Sequence, residues 1–191
     1  IKTGNIRAEF LCFSNCYTKA TDGYNSFCFR MKNNNHVGYV SNYKCGEYEG
    51  TYKCVAGLDG NDIYVGNSNT SYSATNSANS AWSTNIKDHF DIIFMTLFQT
   101  RSYTMLAHGG VSSSYTTIKK SMFLDSSSHG TSGTAINILI GNVFLEDSVF
   151  DHIMFKSFSS SSSYFLCNCF FNSNKFGIPS GGMSRSVSTI E

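Results

Sequence analysis

Four stretches in the second half of the chain align without a gap: 91–101, 116–127, 143–154 and 164–175. Their shared anchor is a phenylalanine, at Phe98, Phe123, Phe150 and Phe171, recurring at steps of 25, 27 and 21 residues. Five residues before each anchor stands an aliphatic side chain: Ile93, Ile118, Leu145 and Leu166. Two before it stands a small residue (Thr96, Ser121, Ser148, Cys169), and one before it an apolar one (Leu97, Met122, Val149, Phe170). Polar residues return after the anchor, as in Gln99, Asp151 and Asn172, with Leu124 the exception. Conserved strand length with variable turn length is the signature of a coil built from stacked rungs.

Charge supports the same alignment independently of hydrophobicity. It sets Lys119 beside Glu146 and Lys120 beside Asp147, and opposite charges are what neighbouring in-register strands accept. Helical repeats need a 3.6-residue periodicity that runs such as 160–163, all serine, do not carry. Leucine-rich repeats need a fixed leucine and asparagine pattern that is missing. The reading is therefore all-β: a right-handed parallel β-helix of about seven rungs, stacked at roughly 4.8 Å each. It occupies residues 1–176, with 177–191 as a flexible tail or link to further sequence. The stretch 66–83 is rich in Asn and Ser and reads as either a long loop or a polar rung.

Composition narrows the function classes. Charged residues make up 14% of the 191, against roughly 25% in an average domain. The formal charge of +1 supplies no basic stripe for nucleic acid. No apolar run reaches the roughly 20 residues of a membrane span. The chain begins at Ile1 and so reads as a processed form or a piece of something longer. Seven cysteines, Cys12, Cys16, Cys28, Cys45, Cys54, Cys167 and Cys169, lack the paired CxxC spacing of a zinc site. Cys12 and Cys16 could close a short disulfide loop; the preferred reading is buried thiols packing as small hydrophobes. Asn69-Thr-Ser fits the N-glycosylation pattern.

The form V-x-[IL]-x-[ND]-[SC]-x-F, present at Val143-FLEDSVF and approximated at Phe165-LCNCFF, resembles the repeats of polymorphic-membrane-protein-like surface proteins. Gly133-TAI is similar to the G-G-A-I element of those repeats, with Thr134 at the second glycine. The resemblance covers 87–176; Phe10-LCFSNCY and Val40-SNYKC share its flavour without a single register. It implies a β-helix at the cell surface or outside the cell, with an adhesive or structural role.

Polysaccharide lyases and hydrolases are the enzymes to weigh on this fold. They need clustered carboxylates, for Ca²⁺ or for acid–base work around a water. The nearest group is Asp125, Asp151 and His152, with Asp125 and His152 in one column on adjacent rungs. His108, His129 and His152 could line one edge, but solvated turn histidines explain them as well. No phosphate loop and no nucleophile elbow is present. We therefore expect no cofactor, no metal and no catalysis, with a carbohydrate-active enzyme as the alternative. Alternation in a strand turns Leu97, Met122, Val149 and Phe170 outward if the anchors point in. That makes them candidate partner-binding residues for self-association or protein assembly, with carbohydrate a further possible ligand. A bend between the two columns would instead bury both.

Overall fold

The computed structural model describes residues 3–16, 24–46, 54–75, 80–102, 104–109, 113–127, 134–138, 141–153, 156–158, 163–172 and 189–190. Every described element is a strand, and all pair in parallel. Strands β1 (Ile6–Ser14), β2 (Tyr24–Arg30), β3 (Asn34–Tyr43), β4 (Cys54–Ser71) and β5 (Ser80–Phe98) build the first part. They are followed by β6 (Thr104–Gly109), β7 (Tyr115–Lys119), β8 (Met122–Leu124), β9 (Thr134–Ile138), β10 (Asn142–Glu146), β11 (Val149–Asp151), β12 (Lys156–Phe158), β13 (Ser163–Cys167), β14 (Phe170–Asn172) and β15 (Thr189–Ile190). This is a parallel β-solenoid, as the repeat implied. The even series of about seven rungs is revised, because continuous strand carries only about four turns, those of β1, β3, β4 and β5. Beyond β5 each face has its own short strand.

Three faces follow one another round the coil. On the first, Ala8, Val37, Val65, Ile92, Ile118, Leu145 and Leu166 form one column. On the second, Phe13, Asn42, Thr70, Leu97, Phe123, Phe150 and Phe171 form another. The third carries Phe27, Ala56, Trp82, Leu106 and Ile136, all buried. Burying aliphatic and aromatic side chains in continuous columns is the main stabilising term, about 1.5–3 kcal/mol for each large one.

Two corners bend the chain on either side of the second face. Both use the left-handed backbone region, which ordinarily costs a residue other than glycine about 1–2 kcal/mol. Phe10, Tyr39, Asn67, Phe94, Lys120, Asp147 and Asn168 make the first corner. Asn15, Lys44, Tyr72, Gln99, Asp125 and His152 make the second, each five residues after its first-corner counterpart. The residue after each corner turns inward, and it is often small and polar for a reason visible in its hydrogen bonds. Ser121 Oγ donates to the Lys119 carbonyl and accepts the Met95 N–H. Ser148 Oγ donates to the Glu146 carbonyl and accepts the Ser121 N–H. Ser73 and Ser126 do the same at the second corner. These hydroxyls satisfy backbone groups that the bend takes out of the ladder.

Most of the expected register holds, with one slip. Phe123, Phe150 and Phe171 stack inside, their ring centroids 4.7 and 5.0 Å apart. Ile118, Leu145 and Leu166 share their column as expected. The rung at 91–101 is displaced by one residue: Ile92 and Leu97 are buried in these columns, not Ile93 and Phe98. Phe98 pairs with Leu124 and packs edge-on against Tyr72 on the outside. Lys119 and Glu146 are paired at 2.6 Å. The hydrogen bond to Glu146 and its charge raise the Lys119 pKa, though both side chains are exposed and such pairs contribute little. Lys120 lies over the Phe94 ring, while Asp147 accepts a hydrogen bond from Asn168.

The Asn/Ser-rich stretch is a polar rung over its described residues, with Ser68, Thr70, Ser71, Ser73 and Thr75 buried. Of the expected tail, Thr189 and Ile190 pair with Phe170 and Phe171 and so join the sheet; 177–188 and 191 lie outside the described residues.

Candidate functional site

Between the two corners, the second face of the last turns is only three residues wide. Phe123, Phe150 and Phe171 take the middle place and point inward. Met122, Val149 and Phe170 therefore point outward, in one column of adjacent rungs. No bend separates the two columns; the bends lie before and after them. Met122 is 42% exposed, and Val149 and Phe170 are half-buried. Leu97, expected in this stripe, is wholly buried, because the one-residue slip puts Thr96 in its place. Leu124 flanks the stripe on one side.

The surface continues across the first corner. Phe144 and Phe165 stack on the outside of the first face, centroids 4.7 Å apart and nearly parallel, and Tyr115 adjoins Phe144 at 6.2 Å. Apolar side chains thus occupy outward columns on both sides of the corner formed by Lys120, Asp147 and Asn168. Apolar side chains on two adjacent faces make an exposed apolar patch, of a kind soluble monomers rarely leave in water when it is large.

Asp125, Asp151 and His152 do come together, at the second corner. His152 Nδ1 is 2.8 Å from Asp151 Oδ1 and 3.8 Å from Asp125 Oδ1. Asp125 and His152 occupy consecutive corner positions, and the Asp125 N–H donates to the Asp151 carbonyl. The His152 and Asp125 side chains are 67% and 48% exposed, whereas the Asp151 Oδ1 that faces the imidazole is itself buried. No group of three or more His, Cys, Asp and Glu placed to hold a metal occurs among the described residues. The supposed histidine edge does not form. His108 belongs to β6 on the third face, His152 to the second corner, and His129 lies outside the described residues.

Sequence reasoning missed the outward aromatics of the first half. Phe10 and Tyr39 stack at 4.8 Å on the first corner, and Phe94 stands exposed at the same corner. His36 stacks on Tyr64 at 4.6 Å. The Tyr64 ring lies across Gly66, where a Cβ would come 2.7 Å from the tyrosine hydroxyl. No sequence signal marks these rungs, because the corner residues share a backbone conformation and not a residue type. In the Asn69-Thr-Ser pattern, Asn69 is exposed but Thr70 is fully buried.

No protein family, no curated protein and no solved structure matches this chain. Among the described residues, no helix is long and apolar enough to cross a membrane.

Proposed function

We propose that the chain is a non-catalytic structural or adhesive module, working within a larger assembly at a cell surface or outside the cell. The observation that carries this reading is the outward Met122–Val149–Phe170 column, backed by the Phe144–Phe165 stack on the adjacent face. Over its last three rungs the column presents apolar side chains one above another. That suits lateral packing against a second copy or a similar repeat. The likeness of its repeats to polymorphic-membrane-protein-like surface proteins supports the same role and placement.

The test is association in solution. Sedimentation velocity over a concentration series should show self-association of the wild type. The double variant Met122→Ser, Val149→Ser should lose at least tenfold in that association, while its denaturation midpoint stays near the wild-type value. Loss of folding in the variant would mean that the column is buried in the coil. A wild type that stays monomeric throughout would remove self-association as the role.

The carbohydrate-active alternative draws on the Asp125–His152–Asp151 cluster. Both carboxylates lie against the single His152 imidazole at the second corner, whereas acid–base hydrolysis needs two carboxyl groups facing each other across a substrate. We expect no turnover of acidic polysaccharides with or without Ca²⁺. Turnover that disappeared in Asp125→Ala with His152→Ala, at unchanged circular dichroism, would replace the structural reading.

A further inference from the structure

The column of inward residues after the second corner runs Cys16, Cys45, Ser73, Thr100, Ser126 and Ile153. Each lies one place after a left-handed corner residue. The pairing places them on successive rungs: the Asn15 N–H donates to the Tyr43 carbonyl and the Gly46 N–H to the Cys16 carbonyl. Ser73 and Ser126 donate their hydroxyls to the carbonyl two residues earlier, at 3.1 and 2.8 Å. Cys16 and Cys45 make the same bond with sulfur, to the Ser14 carbonyl at 3.6 Å and the Tyr43 carbonyl at 3.5 Å. A thiol is a weaker donor than a hydroxyl. Two consecutive rungs therefore carry the weaker donor, at neighbouring positions.

In-register neighbours in a parallel sheet stand about 4.8 Å apart, within the Cα separations that a disulfide spans. Cys45 Sγ reaches the Phe13 carbonyl at 3.6 Å, which sets it toward the rung that carries Cys16. Cys45 is fully buried while Cys16 is partly accessible. Cys12, the partner that sequence spacing suggested for Cys16, precedes the corner and faces outward in a column with Ser41 and Asn69.

We infer that Cys16 and Cys45 form an oxidisable pair that staples the first two turns of the coil together. The oxidant is a small-molecule disulfide. The Cys16 thiolate attacks it and releases one thiol, leaving a mixed disulfide at the accessible sulfur. The Cys45 sulfur then attacks Cys16 Sγ and expels the second thiol. One disulfide has been reduced to two thiols, and two protein thiols have been oxidised to one disulfide. Burial, with the neighbouring Cys45 thiol next in weight, raises the Cys16 pKa. Little of it is thiolate near neutrality, which suits a structural staple better than a catalytic thiol. The bond would close a loop of about 30 residues, and restricting the unfolded chain to that extent corresponds to a rise in Tm on the order of 10 °C.

The experiment uses the full chain, reduced and then equilibrated with oxidised glutathione, with peptide mapping by mass spectrometry under non-reducing conditions. The expected result is a Cys16–Cys45 cross-linked peptide and a higher Tm for the oxidised protein. Cys12→Ser should keep both. Cys16→Ser and Cys45→Ser should lose both yet still fold, since serine fills the same place in later rungs. A cross-link between Cys12 and Cys16, or glutathione retained on Cys16 with no link to Cys45, would overturn the inference. So would a wild type whose Cys16 and Cys45 stay unmodified; the wild-type map alone decides this if a variant fails to fold.

Discussion

Replacing Phe150 with alanine should destabilise the protein by about 3–5 kcal/mol. Phe150 is the central ring of the Phe123–Phe150–Phe171 stack and has no exposed surface. Its removal opens a cavity between two rings held at fixed positions by their own strands, so neither can move in to fill it. The parallel neighbours impose this: a rung cannot shift along the coil without breaking the ladders on the other two faces. Phe98 supplies the comparison. It shares the sequence pattern of Phe150 but lies outside, edge-on to Tyr72, and Phe98→Ala should cost about 1 kcal/mol. Chemical denaturation of both variants measures the difference. Equal losses at the two positions would mean that the rung at 91–101 is not displaced.

Thr70→Val should cost about 2–6 kcal/mol, from two buried donors left without an acceptor at roughly 1–3 kcal/mol each. Thr70 Oγ1 accepts from Asn42 Nδ2 at 3.1 Å and from Trp82 Nε1 at 2.9 Å. It is the point where the polar turns of the first half are tied to the indole of the third face. Valine keeps the shape and removes the acceptor, so packing is nearly unchanged. Thr70→Ser keeps the acceptor and should recover most of the stability. Equilibrium unfolding followed by Trp82 fluorescence reads both variants; a valine variant as stable as wild type would show that this bond does not hold the turns together.

How much of this was legible follows from what fills the second-face column. Where that column is phenylalanine, at Phe123, Phe150 and Phe171, the repeat is plain in the sequence. Where it is Asn42 and Thr70, the same backbone place holds polar residues hydrogen-bonded to each other across neighbouring rungs, and a search for apolar periodicity passes over them. The third face hides its register in another way: Ala56 sits beside Trp82, a small residue making room for a large one, so the column is not a run of like residues. The slip at 91–101 arose from anchoring on phenylalanine. The corner at Phe94 is followed by Met95, where later rungs have Ser121, Ser148 and Cys169, and Thr96 resembled that small residue one place too far on. The same slip turned Leu97 from core residue into supposed contact residue. The Asp125–His152 neighbourhood was readable because both are corner residues and the corners stay in step from rung to rung. The Cys16–Cys45 neighbourhood was not, because it depends on aligning two turns that share almost no side-chain pattern.

One outward column runs in register from the first half of the coil to the last turns, through Ser41, Asn69, Thr96, Met122, Val149 and Phe170. Pulsed electron paramagnetic resonance tests it most directly, with spin labels carried on a noncanonical amino acid so that the native cysteines stay untouched. One label replaces Phe170 and the second replaces Ser41, Asn69 or Thr96 in turn. In-register rungs place these positions five, four and three steps away, so the mean distance should fall by about 4.8 Å at each change, from roughly 24 Å to roughly 14 Å. Distances that failed to fall in equal steps would show that the rungs do not stack as described, and the outward column would be lost with them.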